Sequence, residues 1–268
     1  MTRTESAKTT AGSGLAPAFA AARIQWGLVV VLFGLAAIGW WWTVEEMRGM
    51  NRGSWAGLGA LGWFLSVWVV MMAAMMLPSI APTVALYARM SRRSRLAPLV
   101  FTTGYLITWT GAGILAFLIG VLGSRAAGDA FAWENAGRVV AGATLILAAV
   151  YELTPLKNAC LGKCRSPLGL LLGSWRDGWR GALGMGARYG AWCVGCCWAL
   201  MASLFALGVM SVTWMAVVAG LIAIEKLLPW RRTSTYGTAL VLLALGLLVL
   251  LAPSALPGLT LAAHDQMP

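Results

Sequence analysis

Seven stretches of this sequence stay apolar for close to the ~20 residues that a helix needs to cross the hydrocarbon core of a bilayer. They lie near 24–43, 62–81, 98–122, 137–154, 190–209, 213–228 and 236–252. A bilayer core offers no partner to an unpaired backbone group, so segments of this kind fold as helices. The strands of a membrane barrel alternate lipid-facing and lumen-facing residues over about ten positions, and the sequence has no such alternation. Charged residues make up 11% of the chain and hydrophobic ones 60%, whereas an ordinary soluble domain carries roughly a quarter charged. The predicted class is all-α: a polytopic transmembrane bundle of about seven spans, embedded in lipid, occupying 24–252. The fifth and sixth spans are parted only by a short turn around Ser211 to Thr213, where the count is most open to merging.

Basic residues give an independent check on the count. With seven spans and a cytoplasmic N-terminus, the inside segments hold 16 of the 20 Lys and Arg, and the outside ones hold Arg48, Arg52, Arg125 and Arg138. That is the sign the positive-inside rule requires, and it predicts a multi-pass membrane protein with its N-terminus in the cytoplasm. The formal charge of +11 therefore reads as topology and contact with anionic lipid. Its spread over alternating loops argues against nucleic acid as a partner.

The segment 1–23 is small and polar and predicts a disordered cytoplasmic tail, and 253–268, with Pro253, Pro257 and the single His264, predicts a second loose tail. The first span ends in Trp40, Trp41 and Trp42, an interfacial anchor with no small-residue cleavage site after it, so it reads as a span and not as a removed leader. No internal repeat stands out.

Between spans four and five lies a polar loop, Pro155 to Tyr189. Thr154-Pro155 should end the fourth helix, and Ser166-Pro167 reads as an N-cap with proline at the first helical position. Leu168, Leu171, Leu172, Trp175, Trp179 and Leu183 then recur at helical spacing opposite Arg176, Asp177 and Arg180. The pattern predicts an amphipathic helix on the cytoplasmic membrane surface, weakened by Gly173, Gly178 and Gly181.

Topology gives the five cysteines one address. Cys160 and Cys164 follow the cytoplasmic end of span four, and Cys193, Cys196 and Cys197 open span five from the same side. On helices, Cys160 and Cys164, Cys193 and Cys197 (i,i+4) and Cys193 and Cys196 (i,i+3) each share a face. Thiolates are soft ligands suited to Cu(I), Zn or iron–sulfur chemistry, and a reducing cytosol disfavours structural disulfides. The bland reading is that each is a small apolar residue in a membrane helix; two clusters on one membrane face weigh against it.

Span two carries Met71, Met72, Met75 and Met76 just before Leu77-Pro78. Thioethers suit Cu(I) and have little affinity for Zn, so the block favours copper, while methionine as gap-filler is the competing explanation. The spacing resembles the filter of eukaryotic high-affinity copper transporters over this one helix. Glu152 closes span four and Glu225-Lys226 closes span six before Pro229. Near helix ends, these read as water-accessible, with Glu225 and Lys226 an interfacial pair and Glu152 paired to Lys157 or a loop arginine. No ionisable residue falls at the middle of a span, which argues against a midplane proton relay.

Several blocks taken together resemble a bacterial family. These are Met71 to Pro78, Glu152 to Cys160, Cys164-Arg165-Ser166-Pro167, Gly190 to Met201 with its Trp-Cys-Val-Gly-Cys-Cys-Trp run, and Glu225 to Pro229. The family is that of predicted metal-binding integral membrane proteins, formerly a domain of unknown function, with members linked to copper delivery to a polyphenol oxidase. The resemblance spans roughly 60–230. It implies metal binding, a place in the bacterial inner membrane, and a cuproenzyme or metallochaperone as partner.

Three function classes follow. The first is a Cu(I) chaperone or transfer component that accepts the ion on cytosolic thiolates and passes it along thioethers, with Met201, Met210 and Met215 able to extend the route. The second is a membrane thiol-disulfide oxidoreductase built on Cys193 and Cys196; it lacks the βαβ setting that gives such a motif meaning. The third is a structural membrane protein with a Zn-thiolate site. The sequence holds no phosphate-binding loop and no pair of intramembrane histidines for haem, so a non-enzymatic role is expected. Glycine at 32 positions fits close helix packing and self-association.

Overall fold

The computed structural model of the protein describes residues 15–49, 58–91, 96–127, 137–173, 175–207, 212–227 and 231–251. Among these are nine helices and no strand: α1 (Leu15–Gly49), α2 (Leu58–Met90), α3 (Ala97–Ala127), α4 (Arg138–Glu152), α5 (Pro155–Arg165), α6 (Pro167–Gly173), α7 (Gly178–Leu207), α8 (Val212–Leu227) and α9 (Arg231–Leu251). The all-α expectation holds. Residues 1–14 of the first expected tail, all of 253–268, and Met210 lie outside the described residues, whereas 15–23, expected to be part of a disordered tail, belong to α1.

Among the described residues, four helices are long and apolar enough to cross a membrane, over Trp26–Glu45, Leu61–Met90, Ala97–Gly123 and Arg232–Leu251. A fifth results if Arg138–Glu152 and Pro155–Arg165, bent by 66° at their junction, form one broken span. Hydropathy predicts seven. Two of those seven are helices of 15 and 16 residues, α4 and α8, shorter than the ~20 a straight crossing needs. A third, predicted over 190–209, is the second half of the 30-residue α7.

The chain is arranged inside out relative to a water-soluble fold. Val31, Ile38, Leu115, Ile119, Leu122, Leu147, Leu240 and Leu251 are exposed, while Glu152, Lys157, Glu225 and Lys226 are buried. A lipid solvent would favour this arrangement, because apolar side chains would lose nothing outside and ionisable ones would find partners only inside.

The most extensive helix contact joins α3 to α7. It depends on glycine: a Cβ at Gly104 would collide with the Leu183 carbonyl oxygen, and one at Gly186 with the Phe101 carbonyl oxygen. With hydrogen in both places the two backbones touch, as small residues permit between membrane helices. The Thr108 hydroxyl donates to the Ala187 carbonyl at 3.0 Å across the same seam. The contact fixes α7, and with it three cysteines, against the aromatic face of α3. Helix α2 packs on α1, α3 and α8, while α4 and α5 pack on α7.

Thr154-Pro155 breaks the chain between α4 and α5 as its chemistry predicts. Thr154 caps α5 by accepting the Lys157 backbone N–H at 3.3 Å, and Pro155 takes the first turn, where no intrahelical N–H is needed. The amphipathic helix predicted through 168–183 does not run unbroken. It divides at Trp175–Asp177 into the seven-residue α6 and the start of α7. Gly178 there takes φ of +83°, a left-handed conformation that glycine adopts freely.

Candidate metal centre

Helix α5 turns Cys160 and Cys164 toward α7, and α7 turns Cys193, Cys196 and Cys197 toward α5. All five are buried free thiols. The i,i+3 and i,i+4 spacings put the three α7 sulfurs within 4.8 Å of one another. The two segments meet where Cys164 Sγ lies 3.7 Å from Cys196 Sγ. Cys160 comes in beside Gly195: a Cβ on that glycine would stand 2.9 Å from Cys160 Sγ. The missing side chain between Cys193 and Cys196 is thus the notch that admits the fifth thiol.

The α7 thiols also bond to their own helix. Cys196 and Cys197 donate to the Cys193 carbonyl at 3.1 and 2.9 Å. Around them a polar frame joins the helices. Tyr151 donates to the Gly195 carbonyl at 2.6 Å, tying α4 to α7. Tyr189 on α7 donates to the Cys164 carbonyl and exchanges a hydrogen bond with Thr83 of α2, each at 3.1 Å. Buried hydroxyls find partners in this way because an unpaired one is costly away from water.

Two residues join the centre that the thiol pattern does not reveal. The Tyr105 hydroxyl of α3 lies 3.0 Å from Cys193 Sγ. Lys226 Nζ of α8 lies 2.9 Å from the same sulfur and 3.9 Å from Met76 Sδ. Glu225 and Lys226 are therefore not an interfacial pair, which corrects the sequence reading. Consecutive helical residues point about 100° apart, so Lys226 enters the thiol group while Glu225 turns to Lys157 at 2.6 Å. Lys157 is also paired with Glu152, as the sequence suggested. These groups are buried and not open to water.

Met71, Met72, Met75 and Met76 are all buried in the bundle core. Met76 approaches the centre through its contact with Lys226; Met72, one turn earlier on the same helical row, and the pair Met71 and Met75 continue the thioether surface along α2. Met201 and Met215 are buried in the same core.

A buried set of unoxidised thiols beside a thioether is chemically matched to a soft cation. Hard ions such as Mg²⁺ take oxygen ligands, and sulfur dominates here. Residues 65–249, more than half of the chain, match the family model described as PpoB2, copper chaperone. Among curated proteins and solved structures, none matches the chain.

Proposed function

Because this chain belongs to the PpoB2 copper chaperone family, whose model spans residues 65–249, we propose that it is a membrane protein that binds Cu(I) on converging thiols and hands it onward. The carrying observation is the convergence itself: Cys164 and Cys196, 32 positions apart, bring their sulfurs to 3.7 Å within a group of buried thiols. Two or three thiolates satisfy Cu(I), which favours soft ligands in low coordination. Copper is cargo in this reading, held by Cys160, Cys164, Cys193, Cys196 and Cys197. Met76 and the rest of the α2 methionines then offer thioethers to a departing ion, and a cuproenzyme or metallochaperone receives it.

The basic-residue split supports seven crossings in a bacterial inner membrane with the N-terminus in the cytoplasm. In that frame α4 with α5 forms a broken span. The thiol centre faces the cytosol, where copper is kept as Cu(I) and thiols stay reduced.

Metal analysis of the full chain, purified anaerobically from its native membrane, tests the proposal. Cu(I) should be bound by the parent and largely lost in Cys160→Ser and in Cys196→Ser. A Cys160→Ser, Cys196→Ser double variant that binds Cu(I) as tightly as the parent would refute the site.

A further inference from the structure

Lys226 carries its ammonium into the thiol group. Its Nζ lies 2.9 Å from Cys193 Sγ, 3.9 Å from Met76 Sδ and 3.5 Å from Ser79 Oγ. Tyr105 stands on the other side of the same Cys193 sulfur at 3.0 Å. A thiol sulfur, a thioether sulfur and a hydroxyl oxygen from α7 and α2 therefore surround one buried ammonium. Bringing that charge out of water is costly, and a thioether is a weak acceptor that returns little. The neighbouring carboxylate of Glu225 does not serve as its partner, since it pairs with Lys157. The chain has built a soft-cation position and filled it with its own cation.

We infer that Lys226 is a displaceable place-holder that sets which metal charge the centre accepts. The ammonium holds the position between Cys193 and Met76 in the empty protein and moves aside, still tethered by its four-carbon stem, when a monovalent soft cation takes its place. The inference rests on the copper reading above and adds the basis of selectivity to it. Cu(I) and Zn(II) both favour thiolates, so donor softness alone separates them poorly. Charge separates them better. A tethered positive charge opposes a divalent ion twice as strongly as a monovalent one at the same distance, because Coulomb energy follows the product of the charges. Burial limits the screening by water and salt that would erase the difference at a surface.

The test uses the full chain in lipid nanodiscs under anaerobic conditions, titrated with Cu(I) and with Zn(II) against competing chelators. In Lys226→Leu, which removes the charge without adding a ligand atom, the ratio of Cu(I) to Zn(II) affinity should fall by about tenfold or more, while Lys226→Arg, which keeps the charge, should hold the parent ratio. An unchanged ratio in Lys226→Leu overturns the inference. Should that variant not accumulate in the membrane, the parent protein decides by amine acetylation read by mass spectrometry. Lys226 should be protected in the metal-free protein and labelled after Cu(I) loading; continued protection in the loaded protein overturns the inference. A parent chain that binds no Cu(I) would refute the copper reading itself, a distinct outcome from Cu(I) binding with unaltered selectivity.

Discussion

Lys157 on α5 and Glu225 on α8 close an ion pair at 2.6 Å across 68 positions of sequence. Glu152, at the end of α4, shares the same ammonium. One buried lysine thus joins the α4–α5 break to α8. That fixes the turn carrying Cys160 and Cys164 relative to Lys226, the next residue on α8. The group is a structural frame for the thiol centre more than a source of net stability, since buried charges gain little over apolar packing but cost much when one partner is lost.

Lys157→Met should therefore destabilise the protein by about 3–5 kcal/mol, because it leaves two carboxylates buried without a counter-charge. Thermal unfolding in a mild detergent measures this. Adding Glu152→Gln and Glu225→Gln to the same variant should restore most of the loss. A Lys157→Met protein as stable as the parent would show that the triad holds nothing in place.

Gly195→Ala tests the notch. The added methyl would stand 2.9 Å from Cys160 Sγ, closer than the two atoms can remain, so Cys160 must withdraw from α7. Cu(I) affinity should fall to about the level of Cys160→Ser, while the helical circular dichroism stays that of the parent, because alanine favours a helix over glycine. Parent affinity in Gly195→Ala would mean that Cys160 is not a ligand.

Tyr105→Phe removes the hydroxyl at Cys193 and leaves the ring that packs on Tyr189. Groups that orient a metal ligand are typically worth tenfold or more in affinity, so a loss of about tenfold in Cu(I) binding is expected. Chelator competition reads it directly. No change would assign the hydroxyl to packing alone.

The sequence showed which segments are helices, because apolar runs in a bilayer have no other solution, and Thr154-Pro155 marked the α4–α5 break through local chemistry. The convergence of the cysteines was also legible, from helical spacing and a shared membrane face. Three features were not. Hydropathy marks where lipid ends and not where a helix ends, so α7 runs back to Gly178 through a segment predicted to lie outside its span. Glu225-Lys226 looked like a pair because sequence adjacency hides the 100° between successive side chains. Tyr105 carried no signal, since its role depends on how α3 and α7 approach at Gly104 and Gly186, a contact that one-dimensional patterning does not encode.

Topology has its own test. Reporter fusions at Ser94, Ser174 and Ser234 should report the cytoplasm, and fusions at Asn51 and after Pro257 the outside, if the chain crosses seven times with its N-terminus inside. An outward Ser174 would place the thiols in an oxidising compartment and remove the case for Cu(I) capture from the cytosol.

The methionines of α2 separate ligation from packing. Leucine nearly matches methionine in volume, so Met→Leu in a core costs less than about 1.5 kcal/mol and should leave insertion intact. The same change removes the thioether sulfur, the only side-chain atom there that can hold Cu(I). Met76 contacts Lys226 beside Cys193, whereas Met72 lies a turn farther along α2. If ions leave the thiols along this row, Met76→Leu alone should slow transfer of Cu(I) to an acceptor chelator, Met72→Leu less so, and the double variant most, with Cu(I) still held by the thiols in all three, though less tightly where Met76 is lost. Stopped-flow transfer from loaded protein provides the measurement. Parent rates in the double variant would show that the methionines only fill space, and that copper leaves the thiols by a path that does not follow α2.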